Sequence, residues 1–431
     1  MRPGMKAAFL FGALAMAAPA TPQLLPGVVN QLPSGVLDPV LSGGQPGGAI
    51  VPPISSVSPL DIRPLGAELA PSSLLSLRRA RLRDLVRNNR ELLDMDAEGA
   101  PIRKDEVIGL DMTPAGLAAA ERLGFRQIRR DSIEGVGIAV TVLATPKGMR
   151  ARKAIEALRQ ADPSGSYELN HVYEPAGGAP AAPQQPARPG QAGGVVIGLI
   201  DGGVGAHPAL AGARIEQRGF TPAGVKATGH GTAVASLLVG EAGRFRGVAP
   251  GAALLAADVY GGQPAGGSAE AIARAMGWLA MRKVAVVNIS LVGPPNRLIE
   301  ASVKALARRG TILVAPVGND GPAAPPQYPA SYPGVVAVTG VDARDRQLIE
   351  AGRATHVDFA APGADMAGAV PGGGYEALRG TSFAAPLVAA RLALAPMASV
   401  AASAVPGKGK ALGRGIVCRE CRVPPAAMGV R

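Results

Sequence analysis

Val195-Val196-Ile197-Gly198-Leu199-Ile200-Asp201 is a nearly continuous aliphatic run that ends on a carboxylate. A strand without polar alternation is one covered on both faces, as strands of parallel sheets are. Comparable runs follow at 252–259, 284–290, 311–317 and 335–341, with helical patterns between them at 231–239, 268–282 and 297–309. Strands alternating with helices predict an α/β domain over residues 195–395, with a mainly parallel sheet and helices on both faces. Functional side chains in such sheets gather at the carboxyl ends of the strands. Asp201 stands at one of those ends. A carboxylate placed directly after a buried run is partly desolvated and needs a partner.

Upstream, residues 106–175 carry the order β-α-β-β-α-β: strands at 107–110, 125–130, 138–144 and 167–173, and helices at 113–123 and 149–161. That order predicts a small ferredoxin-like α+β domain. Residues 72–93 read as an arginine-rich helix whose charges form a solvated face, and with it the small domain runs over 72–175. Residues 176–194, almost all Ala, Pro, Gln and Gly, form the clearest domain boundary and a natural place for proteolysis. Residues 21–71 are Pro/Gly-rich without hydrophobic period and read as a disordered linker. Residues 1–20 have the form of an export signal: Arg2 and Lys6, an apolar segment, then Ala15-Met16-Ala17 and Ala18-Pro19-Ala20. That segment is too short to span a bilayer, and no other run is long enough. The expected destination is therefore outside the cytoplasm, periplasmic or extracellular.

The formal charge of +12 raises the question of nucleic acid. The excess is spread over the domains and over a basic C-terminal tail, 396–431, with no concentrated basic face and few aromatic residues to stack bases, so no nucleic-acid partner is assigned. Cys418 and Cys421 are the two cysteines, and without further ligands nearby they read as a small local disulfide of an exported protein rather than a zinc site.

Two more polar residues complete a constellation with Asp201. Gly229-His230-Gly231-Thr232 opens a helix, and Gly380-Thr381-Ser382-Phe383-Ala384-Ala385-Pro386 opens another. A serine at a helix N-terminus lies among free N–H groups that favour an oxyanion, although alone it reads as an ordinary N-cap. The chain order Asp201, His230, Ser382 is one of the orders in which a hydrolytic triad occurs. Asn319, just after a strand in Val317-Gly318-Asn319-Asp320-Gly321-Pro322, would supply a second oxyanion donor. Asn288 reads as structural or as part of a substrate edge. His171, His207 and His356 lack ligand spacing, and no metal is assigned.

These motifs, with Gly247-Val248-Ala249-Pro250, resemble those of the subtilisin-like serine peptidases, the subtilases. The resemblance implies an exported serine endopeptidase acting through an acyl-enzyme. It implies polypeptide substrates bound as an extended strand along Ser290, Leu291, Val292 and Gly293. Residues 106–175 then resemble the propeptide that inhibits the enzyme from within the same chain. No cofactor is implied; calcium, common in the family, finds no acidic cluster here. Gly202 stands where the family carries Ser or Thr, Phe383 where methionine is commoner, and the segment after Leu394 looks irregular. The rival reading is a subtilase-like fold that has lost turnover and acts as a binding protein.

Overall fold

The computed structural model describes residues 71–176, 194–409 and 411–430. The expected export signal over 1–20, the linker up to residue 70 and residues 177–193 of the second linker lie outside them. All described residues fall within one compact unit.

The first element is helix α1 (Pro71–Asn88), which ends short of the expected 93 because the chain turns at Asn89 into a short strand, β1 (Leu93–Met95). Strand β2 (Pro101–Leu110), helix α2 (Pro114–Arg122), strands β3 (Arg126–Ile133) and β4 (Ile138–Ala144), helix α3 (Ala151–Ala161) and strand β5 (Ser166–His171) follow. Thr113 caps α2 by accepting from Gly116 N, and Pro114 occupies the first helical position, where a missing N–H is harmless. The antiparallel order is β5-β2-β4-β3, with β1 on the first residues of β2. One face of this sheet buries Val107, Leu143 and Tyr167 against Ala154, Ile155 and Leu158 of α3.

The other face packs on the larger domain. Ile133, Val140 and Val142 share a core with Ile272, Met276 and Ala280 of helix α5 (Ala269–Met281) and with Leu298 and Ile299 of helix α6 (Arg297–Arg308). Contact is closest at Gly277, in the middle of α5: a Cβ there would lie 2.5 Å from the Glu134 carbonyl oxygen. Only glycine lets the turn between β3 and β4 sit down on the helix. A two-residue strand, β6 (Glu174–Pro175), then leads into the larger domain.

That domain is a seven-stranded parallel sheet. Its strands are β7 (Val196–Asp201), β8 (Arg214–Gly219), β9 (Ala253–Asp258), β10 (Val286–Ile289), β12 (Ile312–Pro316), β13 (Val335–Val341) and β14 (Phe359–Pro362); a short β11 (Leu291–Val292) lies outside it. The spatial order is β14-β13-β12-β10-β7-β9-β8, parallel at every pairing. The apolar runs are central strands, as their lack of alternation predicts. Helices α5 and α6 cover one face. The other holds two almost wholly buried helices, α4 (Gly229–Val239) and α7 (Thr381–Leu394). An antiparallel hairpin, β15 (Ala364–Ala369) and β16 (Tyr375–Arg379), leads into α7.

The segment from Pro396, expected as an irregular basic tail, is folded. After helix α8 (Met397–Ala402), Ile416 pairs with Val405 on one side and with Ala360 of β14 on the other. Gly415 and Val417 exchange main-chain bonds with Ala360 at 2.8 Å each. This short stretch covers an edge of the parallel sheet whose N–H and C=O groups would otherwise face solvent. Leu412, Ile416 and Val417 are buried, and Cys418 and Cys421 form a disulfide. Among the described residues no helix is long and apolar enough to cross a membrane. Ile416→Ala is expected to destabilise the protein by about 2–5 kcal/mol, the usual loss for a fully buried isoleucine. Denaturant unfolding measures it.

Candidate active site

Parallel register brings the carboxyl ends of the central strands together: Asp201 of β7 lies opposite Asp258 of β9, and Ile200 opposite Ile289. Both carboxylates are buried. Asp258 accepts from the main-chain N–H groups of Lys226, Tyr260 and Gly261 at 2.7–2.9 Å. Burial, aided by the negative charge of Asp201, nevertheless leaves its pKa above the ordinary carboxylate value. Asp201 takes a different partner. His230 Nδ1 is 2.9 and 2.8 Å from its two oxygens, and Gly202 N donates to Oδ1 at 2.6 Å. With Nδ1 beside a carboxylate, the proton sits there and Nε2 is left as a base.

His230 is held at the start of α4, where Thr228 is the N-cap and accepts from Gly231 N. A Cβ on Gly202 would strike the Thr228 side chain. The unusual glycine after Asp201 and the capping threonine therefore share one space: a side chain at 202 would displace the cap.

His230 Nε2 lies 3.0 Å from Ser382 Oγ, and the Phe383 ring packs 5.2 Å from the imidazole, centroid to centroid. Gly380, at φ 141°, turns the chain from β16 into α7, so that Ser382 stands in the first turn of a buried helix. Pro386 lies one helical turn further and has no N–H for the carbonyl of Ser382. The hydroxyl of Ser290 fills that place. It donates to Ser382 O at 3.0 Å and accepts from Asn288 Nδ2 at 2.8 Å. Asn288 thus supports Ser290. Ser290 in turn bonds the main chain of Ser382.

Asn319 follows β12. Its Oδ1 accepts from Thr381 N at 2.9 Å, which fixes the amide so that Nδ2 points at the space beside Ser382. That space is filled by the chain itself. The carbonyl oxygen of Ala176 accepts from Ser382 N at 3.3 Å and from Asn319 Nδ2. Ala176 N donates to Ser290 O at 3.1 Å, and Glu174 and Pro175 pair antiparallel with Val292 and Leu291. Tyr173 is buried over Gly293, its hydroxyl on Pro294 O at 2.7 Å and its N–H on Gly267 O at 2.8 Å. The structure therefore gathers all the expected site residues and places among them Ala176, a residue that sequence reasoning did not single out.

These motifs have known counterparts. Residues 192–402 match the model of the subtilase family. Subtilisin Savinase of Lederbergia lenta is 33% identical over 210 residues, 47% of this chain and 76% of that protein. The chain belongs to the subtilase family. Subtilisin E of Bacillus subtilis (strain 168) is 31% identical over 264 residues, 56% of this chain and 68% of that one. The crystal structure of fervidolysin from Fervidobacterium pennivorans, a keratinolytic enzyme related to subtilisin, has a TM-score of 0.59 at 18% identity. That likeness spans 74% of this chain and 61% of that one, and it shows the shared fold. Membership makes this subtilase a serine-type endopeptidase.

The remaining histidines of this subtilase are bonded elsewhere. His207 takes Ala209 N on Nδ1 and meets Gly374 O with Nε2, and His356 Nε2 meets Val335 O. His171 lies between Asp96 and Asn296 at 3.1 and 3.0 Å. Among the described residues Cys418, Glu420 and Cys421 come within metal-ligating distance of one another, but the sulfurs are joined to each other.

Glu376, on β16, escaped sequence reasoning. Burial pushes its pKa up to about 7, with His230 opposing, and its Oε1 is buried without a partner among the described residues. A carboxyl whose folded pKa is raised favours folding below its unfolded value, and that contribution is lost as pH rises through about 7. Glu376→Gln in the Ser382→Ala chain should therefore leave stability at pH 4 unchanged and raise it above pH 7 by about 1–2 kcal/mol, discounted for partial exposure. Thermal unfolding across pH reads this directly. Ser290→Ala, which orphans a buried carbonyl, should cost about 1–3 kcal/mol in unfolding and lower kcat more than it raises KM.

Proposed function

We propose that the chain is an exported subtilase that cuts itself between Ala176 and Gly177, and that Asp201, His230 and Ser382 are its catalytic triad. One observation carries the reading: the Ala176 carbonyl accepts from both oxyanion donors while the Ser382 hydroxyl faces His230. That is the geometry required of a bond about to be attacked or just cut.

In this reading Ser382 Oγ attacks the carbonyl carbon of Ala176 and gives its proton to His230 Nε2. Asp201 keeps the ring in the needed tautomer and stabilises the imidazolium. Negative charge develops on the Ala176 oxygen, where Ser382 N–H and the Asn319 amide receive it. Collapse expels the amine of Gly177, protonated by His230. Ala176 remains esterified to Ser382 until water, activated by the same histidine, releases it. Substrates acting in trans would lie along Ser290–Gly293 as residues 173–176 do, with main-chain pairing giving affinity and side-chain pockets giving preference. A small residue before the cut and an aromatic one three residues further upstream match this chain's own occupant.

Residues 72–176 then act as an intramolecular inhibitor. The order of segments supports this, since a secreted peptidase must keep its site closed until it is outside. The Cys418–Cys421 disulfide fits an oxidising compartment.

Intact masses of the wild type and the Ser382→Ala chain, purified side by side, test the reading. The wild type is expected to begin at Gly177, with the preceding fragment ending at Ala176, and the variant to retain the uncut junction. An uncut wild type overturns self-cleavage.

A further inference from the structure

Helix α1 lies outside the βαββαβ unit, and its arginines are not all solvated. Its inner face carries Leu74, Arg78, Arg81, Leu82 and Leu85, spaced at helical intervals; Leu74 and Leu82 are buried, and Arg81 is 36% exposed. Leu74 packs on Gly321, and Leu85 joins Leu93, Val172 and Ala265. Between these apolar contacts, Arg78 Nε meets Asp320 Oδ2 at 2.8 Å and Arg81 Nη2 meets Asp320 Oδ1 at 3.2 Å. Arg81 Nη2 also meets Glu174 Oε2 at 3.2 Å.

The placement of the two carboxylates matters. Asp320 is 5% exposed and adjoins Asn319, whose amide holds the Ala176 carbonyl; Glu174 is two residues before Ala176. Arg81 thus bridges two carboxylates, one on the loop beside Asn319 and one on the segment 173–176, while Arg78 adds a second cation to Asp320. Through Arg81 the segment is held to the loop that carries Asn319. The Arg78–Asp320 pair is largely desolvated and so sensitive to the loss of one partner, whereas Arg81, 36% exposed, and Glu174, 21% exposed, form a partly solvated bridge.

We propose that α1 is a clasp: through Arg78 and Arg81 it locks the cut segment 173–176 in the cleft, and its release opens the site. The idea rests on the self-cleavage reading and adds a device beyond the βαββαβ unit.

The test uses the full Ser382→Ala chain, which cannot cut, so failure here is distinct from an uncut wild type. Hydrogen exchange is followed at the Tyr173 and Ala176 amides, which bond Gly267 O and Ser290 O. The double variant Arg78→Gln/Arg81→Gln is expected to raise their exchange about ten-fold or more, from the loss of the desolvated Arg78–Asp320 pair together with the Arg81 bridge. The exposed pair Arg79→Gln/Arg83→Gln should change nothing. Unchanged exchange in the double variant, or an equal effect of the exposed pair, overturns the clasp. Should amides of β7 and β10 also lose protection, the double variant has unfolded; Arg81→Gln alone then decides by the same readout.

Discussion

The carbonyl of Ser382 is where sheet, helix and chemistry meet. Proline one turn along α7 denies it a helical partner, and a buried carbonyl cannot stay unpaired without loss. The Ser290 hydroxyl, itself fixed by Asn288, takes it up. That one bond ties the first turn of α7 to the end of β10, beside β7 and Asp201. The position of Ser382 is therefore set by the central strands and not by the loop before it. The same residue then offers its main-chain oxygen to Ala176 N. One serine holds Ser382 with its side chain and the strand ending at Ala176 with its backbone.

Most of the large domain could be read from the chain. Doubly buried strands advertise themselves as aliphatic runs, and 335–341 matches the observed β13 to the residue. Asp201, His230, Asn319 and Ser382 could be located because each stands at a strand end or helix start marked by glycine or by a cap. Their convergence needed the register of a sheet, which no local pattern contains. Even Ser290, foreseen as part of a substrate edge, gave no sign of its bond beneath Ser382, since that bond spans ninety-two residues.

What stayed hidden depended on partners distant in sequence. Arg78 and Arg81 look like the solvated face of a basic helix until Asp320 is placed beside them. Their helical spacing with Leu74, Leu82 and Leu85 was the one available sign that they belong to the inner face. Residues 404–409 and 411–418 show no period because their order is borrowed from the edge of β14. Ala176 has no motif at all. It is marked by position, as the last residue before a stretch of Ala, Pro, Gln and Gly.

Gly277 gives the assembly a direction in time. In the larger domain alone it is a bare notch in the middle of α5, and a helix-interior glycine is weaker than alanine there by about 1 kcal/mol. The notch is useful only while the turn at Glu134 rests in it. The helix is thus at its best when the smaller domain is docked and poorer afterwards. If residues 72–176 leave as proposed, the larger domain keeps an imprint of the surface against which α5 was packed, and no longer has the partner that fills it.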